Sequence, residues 1–184
     1  MKVEISRHDW SSLRSLWSED SMVLYSALIE LCEAVSEDDV DLAVQRIESE
    51  TVAPGALSDS SAAAARCLVY GIYGFTGNVL VRVLETLAVI ASVGNVLAQS
   101  RAGGVAEECL KDISLGFPAY CEILEISQSI DCKSSAIDLI LVCGLHDPRL
   151  RSAAKFALQS ASSSGDLIEL GDLIAASLVE LDQV

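Results

Sequence analysis

Cys143, His146 and Asp147 stand close together in the chain, with Cys132 one helix-length upstream. A thiol, an imidazole and a carboxylate are the raw material of an activated nucleophile or of a metal site. No C-x-x-C pair accompanies them, and His8 is the second of only two histidines. Zinc takes four well-placed ligands, so the set reads as a structural thiol beside a helix-end histidine, and no metal is expected. The glycines of YGIYGFTGN (70–78) have the density of a phosphate-binding loop, yet neither a Lys-Ser/Thr pair nor G-x-G-x-x-G goes with them. They are expected to mark a helix boundary, leaving Tyr70 and Tyr73, beside Phe75, as a ligand-facing or partner-facing patch.

Carboxylates are the abundant functional group. Glu37, Asp38, Asp39 and Asp41 crowd one helix start, where they favour the helix dipole and lack the D-x-D-x-D-G spacing of a calcium loop. As a functional surface they would face cations on another protein, with Glu48, Glu50 and Asp59 extending the patch. Glu169 and Asp172, with Glu180 and Asp182, form a second candidate surface near the C-terminal end. No catalytic set and no cofactor motif is expected.

The elements that position these groups follow from periodicity. The chain has 184 residues, 51% hydrophobic but only 5% aromatic, with three prolines. Leu and Ala lead the helix scale, so an all-α chain is expected, folded as a single domain over residues 1–184. A helix is expected at about 20–35, where Val23, Leu24, Ala27, Leu28, Leu31, Cys32 and Val35 recur at helical spacing. SEDD (36–39) is a capping box opening the next helix, whose face carries Val40, Ala43, Val44 and Ile47. Pro54 and Gly55 predict a turn. An Ala-rich helix follows from about Ser60, and 78–99 is apolar on nearly every side, the mark of a central helix. RAGG (101–104) predicts a break. Helices are then expected at about 104–115, 118–129, 133–145, 148–161 and 166–182, with Asp166 as N-cap of the last. A short N-terminal turn containing Trp10 and Trp17 brings the count to about nine.

Charge limits the partners. Twelve basic residues against twenty-seven acidic give a net charge of −15. Residues 1–60 hold four basic and thirteen acidic side chains, net −9; residues 61–120 are neutral; residues 121–184 carry −6. Nucleic acid would be repelled, since its binders displace counterions with cations. Lys2, Glu4, Arg7 and Asp9 interrupt any N-terminal apolar run, so no secretory signal is expected. Arg82 and Glu85 break the longest apolar stretch, so no membrane span is expected either. Six scattered cysteines then fit free thiols in a reducing cytoplasm.

DPRLRSAAKFAL (147–158) gathers three of the twelve basic residues. Asp147 caps, Pro148 takes the first helical position, and Leu150, Ala153, Ala154, Ala157 and Leu158 form the apolar stripe. The stretch resembles the second helix of a HEAT repeat, Asp-Pro-x-Val-Arg followed by paired alanines and Ala-Leu, matched here by Asp147, Pro148, Leu150, Arg151, Ala153, Ala154, Ala157 and Leu158. Residues 42–72 are similar to a segment of bacterial HEAT-like proteins. The resemblance implies a right-handed stack of antiparallel helical hairpins, a HEAT-like α-solenoid. It also implies a structural ion pair for Arg151, with Asp131 as candidate partner. Such stacks present extended binding surfaces. The expected function is a non-catalytic, cytoplasmic protein-binding module, most concretely an immunity protein that occludes a basic bacterial toxin. The alternatives are a small-molecule binder or enzyme with a pocket among the central apolar helices, and a structural homo-oligomer subunit.

Overall fold

The computed structural model describes residues 1–100, 104–163 and 165–183. Among these residues the chain is all-α. Ten α-helices are joined by short turns, two 3₁₀ segments and one minimal hairpin. The helices are α1 (Lys2–Ile5), α2 (Met22–Glu33), α3 (Glu37–Thr51), α4 (Ser61–Gly71), α5 (Gly77–Gln99), α6 (Val105–Ser114), α7 (Phe117–Ile126), α8 (Ile130–His146), α9 (Arg151–Ser162) and α10 (Gly171–Asp182). The expected break at 101–103 lies outside the described residues, as does the side chain of Asp166.

Local chemistry sets most boundaries. The capping box is complete: Asp39 N–H donates to Ser36 Oγ at 3.2 Å, and Ser36 N–H donates to Asp39 Oδ2 at 3.1 Å. Two strands, Val52–Ala53 and Ala56–Leu57, pair antiparallel across Pro54-Gly55. Gly55 takes φ +74°, the left-handed conformation that a Pro-Gly turn requires at its second position. Several expectations shift. The N-terminal helix is Lys2–Ile5, and the segment holding Trp17 is irregular. Asp147 caps a separate turn, with Arg149 N–H donating to its Oδ1 at 2.9 Å, and α9 starts later, at Arg151. The buried stripe of α9 is therefore Ala154, Leu158 and Ala161, while Ala153 is exposed. Helix α2 stops at Glu33, which leaves Val35 in the loop, 95% exposed instead of on the apolar face.

Packing follows an orderly succession. Helix α3 lies on α5, α5 on α8, and α8 on α10; α2 covers α3, α4 pairs with α6, and α7 and α9 flank α8. One continuous buried cluster runs from Ile5 to Leu181. Helix α5 has 23 residues, long and apolar enough by length and composition to cross a bilayer. Here it packs against α3, α6 and α8, and Arg82 Nε lies 2.9 Å from Asp41 on α3. Close approach needs small residues at one point: a Cβ on Gly144 of α8 would sit 2.8 Å from both Ala154 Cβ and Leu181 Cδ2.

Candidate functional site

The acidic candidates divide by what they already hold. Asp39 serves the capping box, and its Ser36 hydrogen bonds keep its carboxyl below the usual range. Asp41 is bound to Arg82. Glu48 is half-buried, its Oε1 3.1 Å from the Thr86 hydroxyl on α5. Glu50 is also half-buried, and its Oε2 is enclosed without a hydrogen-bond partner. Asp41 and Glu48 therefore belong to the α3–α5 contact as much as to any outer surface. Glu37 and Asp38 are exposed at the start of α3 and make no described ion pair. Asp59, Glu169 and Asp172 are exposed on other elements, so the structure does not gather all the acids into one patch.

A shallow cleft of about 330 Å³ opens between α2 and α3, lined by Glu30, Glu33, Ala34, Asp39 and Leu42. Its carboxylates are tethered in part: Arg46 Nη1 binds Glu30 at 2.7 Å and Lys2 Nζ binds Glu33 at 2.7 Å. Leu42 is 49% exposed here, and Val35 stands in the adjoining loop. Two exposed aliphatic side chains ringed by carboxylates were visible in the sequence as acids alone. Val35 reads there as part of the apolar face of the preceding helix, and Leu42 falls outside the apolar face of its own.

The aromatic candidates do converge. Tyr70 and Tyr73, the latter 73% exposed, line a cleft of about 450 Å³ with Val69, Leu115, Gly116, Pro118 and Ala119. It lies at the α4–α7 edge rather than among the buried faces of α5. Leu115 also lines a neighbouring cleft with Lys111, His146, Asp147 and Arg149. Sequence spacing alone gave no sign that the α6–α7 turn would supply the other wall.

The sets that suggested chemistry are held structurally. Burial pushes the Cys67, Cys109 and Cys143 thiols up to about 12 and Cys121 to about 11. They are protonated at neutral pH, which makes them poor nucleophiles. His146 ends α8, while Asp147 is held by Arg149 through a two-pronged ion pair at 2.7 and 3.0 Å, which lowers its carboxyl to about 2. Lys155 reaches Asp182 on α10 at 2.7 Å, and Arg151 Nε donates to Gly144 O at 3.4 Å. The basic cluster thus ties α8, α9 and α10 together. Among the described residues, no group of three or more His, Cys, Asp or Glu is arranged to hold a metal ion.

One polar cluster was missed. Asp112 on α6, only 3% exposed, accepts from Arg66 Nη2 at 2.6 Å and Nε at 3.1 Å. Near it, Glu4 binds Arg7 at 3.1 Å, and His8 Nε2 stands 3.6 Å from Glu4. Trp10 meets the His8 ring edge-on at 5.5 Å and donates its indole N–H to Ile5 O at 2.7 Å. Arg66 and Asp112 stand 46 positions apart, so no local pattern signals their pairing. No family model matches the chain, and no curated protein and no solved structure matches it.

Proposed function

We propose that this protein is a cytoplasmic, non-catalytic protein-binding module of HEAT-like stacked hairpins, acting as an immunity protein that occludes a basic bacterial toxin. The observation that carries the reading is the α2–α3 edge. Exposed Val35 and Leu42 stand beside Glu37 and Asp38, which make no ion pair among the described residues. Apolar anchors inside a charged rim are how specific protein surfaces combine affinity with electrostatic steering. The net charge of −15 gives that steering its sign. The α3–α5–α8–α10 succession supports the solenoid part of the proposal, since repeat stacks bury each hairpin mainly against its neighbours.

The test uses the tagged chain as bait in its native cells, alongside Glu37→Lys/Asp38→Lys bait. A stoichiometric basic partner retained by the first and lost by the second is the expected result, with association slowed by added salt. Equal retention by both baits refutes the α2–α3 edge. The Tyr70–Tyr73 cleft favours a second reading, a small-molecule binder, because its volume falls within the range of ligand pockets, roughly 300 to 1,000 Å³. A copurifying ligand displaced by Tyr73→Ala, with no protein partner, would establish that reading instead.

A further inference from the structure

The central helix α5 is not covered all round. Its buried face carries Val83, Leu84, Leu87, Ile90 and Ala91. On another face Val89 and Val96, the latter 62% exposed, stand seven residues apart and therefore nearly in line along the helix. Between this face and α8 runs a groove of about 280 Å³, whose walls are Ala88, Ser92, Asn95 and Val96 on one side and Asp138, Leu141, Val142 and Leu145 on the other. The α8 residues recur at helical spacing, so both walls are ridged with the period of a helix. Glu180 of α10 completes the lining.

No basic residue lines the groove, and neither Asp138 nor Glu180 makes a described ion pair. Asp138 is half-buried, and desolvation raises its pKa. A carboxylate losing water without gaining a cation is an unfavourable arrangement that a docked cation would relieve.

We propose that the α5–α8 groove is a docking site for an amphipathic helix of a protein partner, which lays an apolar stripe along Val96, Leu141 and Leu145 and places a Lys or Arg between Asp138 and Glu180. This is helix-in-groove recognition, read as anchors at i, i+3, i+4 and i+7. The wall from Asp138 to Leu145 accommodates about two turns at ~1.5 Å rise per residue. The site shares no lining residue with the α2–α3 edge and stands or falls separately from it.

The probe is a fluorescein-labelled Leu/Ala helix with one central Lys, compared by anisotropy with a twin carrying Glu there. The full chain is expected to bind the Lys peptide at least about tenfold more tightly than the twin, since like-charge juxtaposition disfavours the wrong partner. Asp138→Asn, Glu180→Gln and Val96→Asp should each weaken the Lys peptide several-fold with unchanged circular dichroism. Glu37→Gln/Asp38→Asn should leave it unaltered. No binding of the Lys peptide, equal binding of the twin, or equal losses from the Glu37/Asp38 variant would overturn the proposal. Sedimentation showing this face occupied by a second copy of the chain, released by Val96→Asp, would overturn it as well.

Discussion

Removing Arg66 tests how the buried Asp112 is supported. Asp112 is nearly inaccessible on α6, and both described hydrogen bonds to its carboxylate come from Arg66 of α4. Breaking a buried pair by deleting one partner costs about 3–5 kcal/mol, because a desolvated charge is left behind. Arg66 is 38% exposed along its side chain, so water already shares in solvating the pair, and the cost falls to or below the lower end of that range. Arg66→Met should therefore destabilise by about 2–3 kcal/mol, since its apolar stem is retained while the cation is lost. For a chain of this length that lowers Tm by roughly 5–10 °C. Asp112→Asn should cost less, about 1–2 kcal/mol, because a neutral amide is easier to bury. The apolar pair Arg66→Met/Asp112→Leu should recover to within about 1 kcal/mol of the parent. Urea unfolding followed by circular dichroism gives all three values, and Asp112→Leu measured alone closes the double-mutant cycle. A coupling energy below about 0.5 kcal/mol would refute the reasoning and assign the site to packing alone.

Three further outcomes follow from the same physics. Ser36→Ala removes the acceptor of the α3 capping box and should cost about 1 kcal/mol in urea unfolding, while Ser26→Ala on the exposed face of α2 should cost a few tenths at most. Gly144→Ala gains up to about 1 kcal/mol of helix propensity, but Ala154 Cβ is fixed to α9 and cannot move aside. Overpacking of about 1–3 kcal/mol should outweigh the gain, whereas Gly171→Ala, with open space around it, should be neutral or slightly stabilising by thermal melt. Burial lowers the His8 pKa below its ordinary 6.5, against an opposing pull from Glu4. The unfolded chain then binds the extra proton, so the stability that neutral His8 contributes is present above pH 6.5 and falls as pH drops through that value. His8→Gln should flatten this slope in urea midpoints between pH 7 and 5; an unchanged slope would assign it to other groups.

The local elements of this fold were legible because their signals are local. Ser36 and Asp39 sit three residues apart and form their capping box regardless of what packs above them. Pro54-Gly55 forces a turn by its own backbone limits, and Leu24, Ala27, Leu28 and Leu31 fall on one face because a helix turns every 3.6 residues. The apolar character of 78–99 likewise marked α5 as central. Tertiary structure decided what those faces meet. It turned Asp41 and Glu48 from surface candidates into neighbours of α5, enclosed a carboxylate oxygen of Glu50, and left Val35 and Leu42 outside. It also joined Tyr70 and Tyr73 to the distant α6–α7 turn, and Arg66 to Asp112 across 46 positions. Periodicity states that a helix has an apolar stripe but carries no term for which residues far along the chain cover it. The sites proposed here arise where that covering stops, at the α2–α3 edge and along the open side of α5.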